Sequence, residues 1–150
     1  MMICLVSALD IVNTNFFKFH RSGWDEYYYK DPVKFLGTDK NDEDSLKFPG
    51  NYNFTSCQKL RRLIAGFGKS AIDWLLAKTT FVGIGVDTLS IELGRTQACY
   101  VHQTLTKANK YGLECLANLQ KLPLRGFTVT VLPLKIEGGS GGPCRVIAKL

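Results

Sequence analysis

The residues best suited to chemistry in this 150-residue chain are a histidine, His102, and a glutamate, Glu114. An imidazole nitrogen and a carboxylate oxygen are both good ligands for a borderline divalent cation such as zinc or manganese. One continuous helix would set the two residues about 120° apart around its axis and ~18 Å apart along it, too far to share an ion. A break in the helix at residues 109–112 lets the chain fold back, so that the two side chains could converge.

Two ligands alone make a weak metal site, because a divalent centre usually needs at least one further side chain as well as water. The other histidine of the chain, His20, ends a stretch that reads as a strand, and no cluster of ligands surrounds it in the sequence. The alternative interpretation is an interior His102 with satisfied hydrogen bonds and a Glu114 on the surface. Spacing alone leaves both interpretations open.

The cysteines admit two interpretations as well. Cys99, Cys115 and Cys144 could act as nucleophiles, but small buried thiols are more common in proteins. Five cysteines without a C-x-x-C spacing argue against a disulfide framework. We therefore expect a reducing, cytoplasmic compartment.

Composition favours a globular protein that acts on small molecules. Hydrophobic residues make up 45% and charged residues 21% of the chain, as in ordinary folded domains. The net charge of +6 is scattered and forms no basic stripe, which argues against nucleic-acid binding and favours an anionic metabolite. No apolar run approaches the ~20 residues of a membrane span, so no membrane partner is expected.

The elements that must position the candidate residues read as an α/β fold. Apolar residues recur at i, i+3 and i+4 from Ile72, which predicts a helix over 69–77 with Ser70 as its N-cap. Residues 79–86 are apolar on both faces and predict a buried strand. A helix that leads directly into such a strand favours an α/β layer.

Polar side chains follow this strand, where site groups tend to gather. They are Asp87 and Ser90. The remaining predicted elements are a strand over 11–20, a helix over 100–108, one or two helical turns over 113–119, and strands over 126–132 and 145–148 joined through the glycine run 138–142.

Several longer motifs resemble the cyclase family, which includes bacterial-type kynurenine formamidase (arylformamidase) and isatin hydrolase. They cover residues 14–50 and 67–150 in the family's order. The motifs are Ser22-Gly23-Trp24 and the Tyr-rich segment after it, Phe48-Pro49-Gly50, the segment 83–90, His102, Leu113-Glu114, the segment 116–119, Leu122-Pro123 and the segment 132–145.

The resemblance implies a swivelling β/β/α fold and a metal-dependent hydrolase of amide bonds. Its typical reaction would convert N-formylkynurenine to kynurenine and formate in tryptophan breakdown, in a homo-oligomer with zinc or manganese. It also implies that His102 and Glu114 are the family's two downstream metal ligands. Asp87, Ser90 and Arg145 would be structural groups that orient their neighbours.

The chain also departs from the family. The family's other ligands lie in an upstream His-x-x-x-His-x-Asp run followed by a further histidine, and this sequence has no such run. We therefore expect residues 1–150 to form a single partial domain, incomplete at its N-terminus, with an atypical start over 1–12 and an insertion over 51–66. Glu92 stands where the family usually has Asp, and Cys115 where it usually has Asn.

Two hypotheses about function follow. The first is a metal-dependent amide hydrolase of the arylformamidase type, with negligible activity from the chain alone because its ligand set is incomplete. The second is a non-catalytic relative that acts by association with itself or with a full-length paralogue.

Overall fold

A computed structural model describes residues 3–5, 17–35, 66–93 and 99–150. Within these ranges helix, strand, helix and strand follow one another between Lys69 and Leu113, which is the alternation typical of an α/β fold. No helix in these ranges is long and apolar enough to cross a bilayer. The elements are β1 (Ile3–Leu5), β2 (Phe17–His20), α1 (Tyr27–Lys30), α2 (Pro32–Phe35), α3 (Lys69–Lys78), β3 (Gly83–Val86), α4 (Tyr100–Lys107), β4 (Tyr111–Leu113), β5 (Thr128–Pro133) and β6 (Gly142–Lys149), with 3₁₀ turns at Trp24–Glu26 and Leu119–Lys121.

The strands form one mixed sheet in the order β2-β3-β4-β1-β6-β5. Strands β2, β3 and β4 run parallel, whereas β1 pairs antiparallel with β4 and β6, and β5 pairs antiparallel with β6. Gly85 of β3 is in register with Leu113 of β4. Because parallel strands end at the same edge of a sheet, the residues that follow β3 and β4 are brought together there.

Helices α3 and α4 cover one face of the sheet. On β3, Ile84 and Val86 point to this face, as the two-residue period of a strand requires. On α4, Val101 and Leu105 are spaced i, i+4 and are almost fully buried, which fixes how the helix is rotated on the sheet. The buried cluster on this face consists of Ile72, Phe81, Ile84, Val86, Ile91, Val101 and Leu105.

The opposite face carries a second cluster built around strands β2 and β4. Its buried members are Phe17, Tyr111, Leu113, Leu116 and Leu119, and side chains of the β5–β6 hairpin pack against them. Gly85 faces this cluster. A Cβ there would lie 2.6 Å from Cδ1 of Phe19 and 2.7 Å from Cδ1 of Leu116, so the sheet packs this closely only because the residue is glycine.

The predicted elements over 69–86 are confirmed in type and corrected in detail. The helix runs over Lys69–Lys78, close to the predicted 69–77, but its N-cap residue is Gly68 with no side-chain cap, so the predicted Ser70 cap is wrong. The strand is shorter than predicted and begins at Gly83. Strand β2 falls within the predicted 11–20, of which residues 11–16 lie outside the described residues.

The predicted helical turns over 113–119 are wrong. Residues Tyr111–Leu113 form strand β4, and a 3₁₀ turn begins only at Leu119. Strand β4 hydrogen-bonds to β3 on one side and β1 on the other, and this tertiary pairing overrides local preference. A three-residue strand is also too short to show a period of two.

In the C-terminal hairpin, β6 is longer than the predicted 145–148, whereas β5 begins two residues later than the predicted 126–132 and ends one residue later. Strand β6 begins at Gly142, so the end of the glycine run belongs to the strand rather than to the connection. Residues 3–5 of the expected atypical start form strand β1 in the middle of the sheet. The rest of that start, and residues 51–65 of the expected insertion, lie outside the described residues.

Candidate metal centre at the carboxyl edge of the sheet

The structure brings His102 and Glu114 together. His102 is the third residue of α4, and Glu114 directly follows β4. Between them the chain turns through Asn109, which adopts a positive φ of 54°, and returns alongside β3. Nε2 of His102 lies 3.2 Å from Oε1 of Glu114, so two side chains that are distant on one helix share a single point in space.

A third residue, Glu92, completes the arrangement on the other side of the ring. Its Oε1 atom accepts a hydrogen bond of 2.9 Å from the backbone N–H of His102 and lies 3.0 Å from Nδ1 of the same residue. Glu92 is only 1% exposed. The imidazole of His102 is therefore held between two buried carboxylates. The sequence marks Glu92 only as a departure from the family, because its ten-residue separation from His102 matches no local motif.

Backbone contacts fix both carboxylates. Oε1 of Glu114 accepts a hydrogen bond of 2.9 Å from the N–H of Ile91. The hydroxyl of Ser90 accepts a hydrogen bond of 3.2 Å from the N–H of Glu92. The backbone carbonyl of Ser90 accepts a hydrogen bond of 2.9 Å from the hydroxyl of Thr88. The loop after β3 thus reaches the candidate site through its main chain. Ser90 contacts the backbone of Glu92 and not the imidazole.

Asp87 anchors a different segment. Its fully buried carboxylate accepts hydrogen bonds from the backbone N–H groups of Ser22, Gly23 and Trp24 at 2.7–3.2 Å. It also accepts one of 2.6 Å from the hydroxyl of Ser22. Successive N–H groups that point at one carboxylate form a concave anion-binding turn. Asp87 therefore fastens the segment after β2 to the end of β3.

Arg145 lies on the C-terminal hairpin. It is paired in register with Leu132, and both residues are exposed. Cys144 and Val146, its neighbours on β6, instead pack against the second buried cluster. The contacts of Ser90 and Asp87 described above lie at the end of β3, whereas Arg145 lies on the outward face of the hairpin. Its suggested structural part stays a prediction.

Two opposing effects act on the protonation of His102. Burial, the largest single influence, lowers the pKa of the imidazole, but the hydrogen bonds and charges of Glu114 and Glu92 together outweigh it. The pKa of His102 is therefore raised above its ordinary value of 6.5. In the absence of a cation, the positive charge of the protonated imidazole is stabilised by the two carboxylates. A divalent cation bound at Nε2 would replace the proton on that nitrogen.

Cys115, next to Glu114, is poorly suited to nucleophilic chemistry. Burial first, and then the charge of Glu114, raises the pKa of its thiol to about 11. The thiolate is the reactive form, so a thiol with this pKa stays protonated near neutral pH. Its backbone has a positive φ of 57°, a conformation that asparagine tolerates better than cysteine.

The chemistry of these donors fits part of a divalent metal site. With Nδ1 directed at Glu92, the lone pair of Nε2 is available beside Oε1 of Glu114, an arrangement common among metal-bound histidines. The His102 side chain is 21% exposed, so a small ion can reach it. Glu92 and Glu114 lie at opposite nitrogens of the ring. In the part of the chain that the structure describes, no group of three His, Cys, Asp or Glu side chains could hold an ion.

Comparisons of the sequence and of the structure with known proteins both point to isatin hydrolases. No protein-family model matches the sequence. Over 82 residues the chain is 39% identical to isatin hydrolase of Roseibium aggregatum. This aligned segment covers 52% of this chain and 31% of that protein. Isatin hydrolase A from Ralstonia solanacearum is similar with a TM-score of 0.65 and 30% identity, covering 88% of this chain and 44% of that one.

Two further solved structures extend the comparison. An isatin hydrolase bound to the product analogue thioisatinate gives a TM-score of 0.66 at 30% identity, over 91% of this chain and 46% of that one. A predicted metal-dependent hydrolase from Bacillus stearothermophilus shares the fold, with a TM-score of 0.52 at 20% identity over 97% of this chain and 74% of that one. The chain spans less than half the length of the isatin hydrolases that it matches. It is a homologue of isatin hydrolase and has the α/β fold of the cyclase-family hydrolases.

Proposed function

We propose that this polypeptide forms part of a metal-dependent hydrolase that cleaves an amide bond in a small aromatic substrate. One observation carries the proposal. In a homologue of isatin hydrolase, His102 and Glu114 meet at 3.2 Å at the edge of the sheet where the parallel strands end. Ligand sites of open α/β sheets gather at this edge.

In this proposal His102 and Glu114 supply two ligands to zinc or manganese. Bound there, the cation would polarise the amide carbonyl and lower the pKa of a water molecule. Asp87, Ser90 and Arg145 act as structural groups. Asp87 fastens the segment after β2 to the end of β3, Ser90 supports the backbone of Glu92, and Arg145 belongs to the hairpin.

The pair supplies fewer donors than a hydrolytic centre uses, which is typically three protein ligands and a water. The remaining donors would come from residues other than those described, or from a second subunit of a homo-oligomer. We therefore expect the 150-residue chain on its own to bind metal weakly and to show negligible turnover. The alternative function, a non-catalytic relative that acts by association, makes no demand on metal binding at all.

The substrate class follows from chemistry that two reactions share. Isatin is a cyclic amide and N-formylkynurenine a linear one, and in both the amide nitrogen is bonded to an aromatic ring. The relatives named isatin hydrolase favour the cyclic substrate. The earlier expectation, the arylformamidase reaction, is the second candidate. Both substrates are acylated aromatic amines, which is the class that we propose.

The proposal is tested by metal content and hydrolysis measured on the same preparations. The purified chain and its His102→Ala variant are dialysed against zinc or manganese, and the retained metal is measured by mass spectrometry. His20→Ala is the matched control, because it removes the other histidine of the chain, which lies at the exposed end of β2. Metal retained by the parent and His20→Ala but lost from His102→Ala supports the assignment. Equal retention by all three contradicts it.

Turnover of isatin and N-formylkynurenine, with and without a chelator, then tests whether the set of metal ligands in this chain is complete. Negligible turnover is expected from the chain alone. Chelator-sensitive turnover would show that its donors are sufficient, against our expectation. A defined oligomer that retains no metal would favour the non-catalytic alternative.

A further inference from the structure

We propose that Glu92 is a positioning residue that holds the imidazole of His102 with its proton on Nδ1 and its Nε2 lone pair directed towards Glu114. The orientation of the ring is inferred from the hydrogen-bond geometry of the chain. The effect of Glu92 on metal affinity rests on the proposed function.

One oxygen atom makes both contacts that position the ring. Oε1 of Glu92 accepts the backbone N–H of His102 at 2.9 Å and lies 3.0 Å from Nδ1 of the same residue. The carboxylate cannot follow a rotating imidazole without losing its bond to the first turn of α4. The ring is therefore oriented relative to its own main chain, and not only relative to a neighbouring side chain.

Glu92 is itself held in place. Its N–H donates to the hydroxyl of Ser90, and its backbone forms a β-bridge with Phe67. The contact at this bridge is close, because a Cβ added to Gly66 would lie 2.0 Å from the carbonyl oxygen of Glu92. A positioning group needs such support from its own surroundings in order to fix another side chain.

Two carboxylates compete for the proton of the neutral ring. A neutral imidazole donates from only one nitrogen, and which one is set by its hydrogen-bond partners. The contact to Glu92 is the shorter, 3.0 Å against 3.2 Å to Glu114, and the side chain of Glu92 is the more buried, 2% exposed against 7%. Nδ1 is therefore the favoured site of the proton, which leaves Nε2 free to bind a cation.

Removal of Glu92 reverses this preference. Glu114 then becomes the carboxylate that accepts from the ring, so the proton moves to Nε2 and occupies the nitrogen that a metal would use. A purely structural part for Glu92, as acceptor for the first turn of α4, predicts a loss of stability without any change in the tautomer of His102. The tautomer therefore separates the two interpretations.

The test uses the full chain with ¹⁵N-labelled histidine in two-bond ¹⁵N–¹H spectra, at a pH high enough to leave the imidazole neutral. We expect the Nδ1–H tautomer in the parent chain and the Nε2–H tautomer in Glu92→Ala. Tyr100→Phe is the matched control. It removes the 2.7 Å bond from the Tyr100 hydroxyl to Asp73 at the same end of α4, and leaves the contacts of His102 in place.

Zinc affinity is the second readout. Loss of a group that orients a metal ligand typically weakens affinity about 10- to 100-fold, and we expect this of Glu92→Ala. Glu92→Gln keeps an oxygen that can accept both bonds but lacks the charge, so Glu114 becomes the stronger acceptor for the ring proton. The tautomer should shift towards Nε2–H, and the loss of affinity should be smaller than in Glu92→Ala because the bond to the first turn of α4 is kept. Tyr100→Phe should bind zinc as the parent does.

The outcomes are distinguishable. An Nε2–H tautomer in the parent chain, or an unchanged tautomer in folded Glu92→Ala, overturns the inference. Absence of zinc binding by the parent defeats the proposed function, and the tautomer still decides the part played by Glu92. If Glu92→Ala does not fold, the spectra of the parent and of Glu92→Gln decide. Nδ1–H in the parent with a shift towards Nε2–H in Glu92→Gln supports the inference, whereas Nε2–H in the parent, or an unchanged Nδ1–H tautomer in Glu92→Gln, overturns it.

Discussion

Replacing Asp87 by alanine should detach the segment after β2 from the edge of the sheet. The fully buried carboxylate accepts from three consecutive backbone N–H groups, those of Ser22, Gly23 and Trp24, and from the Ser22 hydroxyl. Alanine offers none of these acceptors. The change therefore removes every contact through which Asp87 holds this turn.

The loss of unfolding free energy in Asp87→Ala depends on how exposed the turn is. A hydrogen bond to a charged group contributes about 1.5–3 kcal/mol, so three backbone donors set an upper bound of roughly 5–9 kcal/mol. Ser22 is exposed and Gly23 and Trp24 are half-buried, so water can satisfy the freed N–H groups once the turn lifts away. This release limits the loss, and we expect about 3 kcal/mol. In a chain of this size that lowers Tm by roughly 6–12 °C.

Urea unfolding combined with tryptophan fluorescence measures both consequences. The chain has two tryptophans, so a Trp74→Phe background leaves Trp24 as the single reporter. Asp87→Ala should lower the free energy of unfolding and shift Trp24 emission to longer wavelength. Ser22→Ala, the matched control, removes the hydroxyl that donates to Asp87 and accepts from the N–H of Trp24, but it keeps the three backbone donors to Asp87 and should cost about 1 kcal/mol. A loss below about 1 kcal/mol in Asp87→Ala, with unchanged Trp24 emission, would refute the reasoning.

Two other predictions concern strain and pH. Cys115→Asn should raise the free energy of unfolding by about 0.5–1 kcal/mol in thermal denaturation, because asparagine suits the positive φ of 57° at this position; a destabilised variant would contradict this. The hydrogen bonds from Lys69 and then Tyr100 lower the pKa of Asp73 below its ordinary 3.8. The stability contributed by this carboxylate is therefore present above pH 3.8 and is lost as the pH falls through the lowered pKa. The stability deficit of Asp73→Asn should disappear on acidification, and a deficit that persists at low pH would contradict the assignment.

Patterns that repeat along the chain predicted the elements they belong to. The helix at Lys69–Lys78 followed from apolar residues spaced i, i+3 and i+4, because that helix buries one stripe against the sheet. Strand β4, at Tyr111–Leu113, was missed because three residues carry no period: residues 111 and 112 were predicted to belong to a break between helices, and only Leu113 to a helical turn. Its strand geometry comes from β1 and β3, partners that are distant in sequence.

The candidate site also contains residues that could be identified from the sequence and residues that could not. His102 and Glu114 were identifiable because their residue types bind metals, and the structure shows how the chain between them turns back. Glu92 was not identifiable as the partner of Nδ1, because a contact across a loop leaves no spacing in the sequence. The hydrogen bonds of Asp87 to the turn after β2 span more than sixty residues and were equally inaccessible.

The most direct test of the central claim is a double-mutant cycle on zinc affinity, with His102→Ala, Glu114→Ala and the variant that carries both changes. If the two side chains hold one ion, each single change should weaken binding by at least about tenfold, or 1.4 kcal/mol. The double variant should then lose clearly less than the sum of the two single losses, because removal of one ligand already disables the other. Zinc affinity that is indifferent to either residue, or losses that simply add, would contradict a shared metal site.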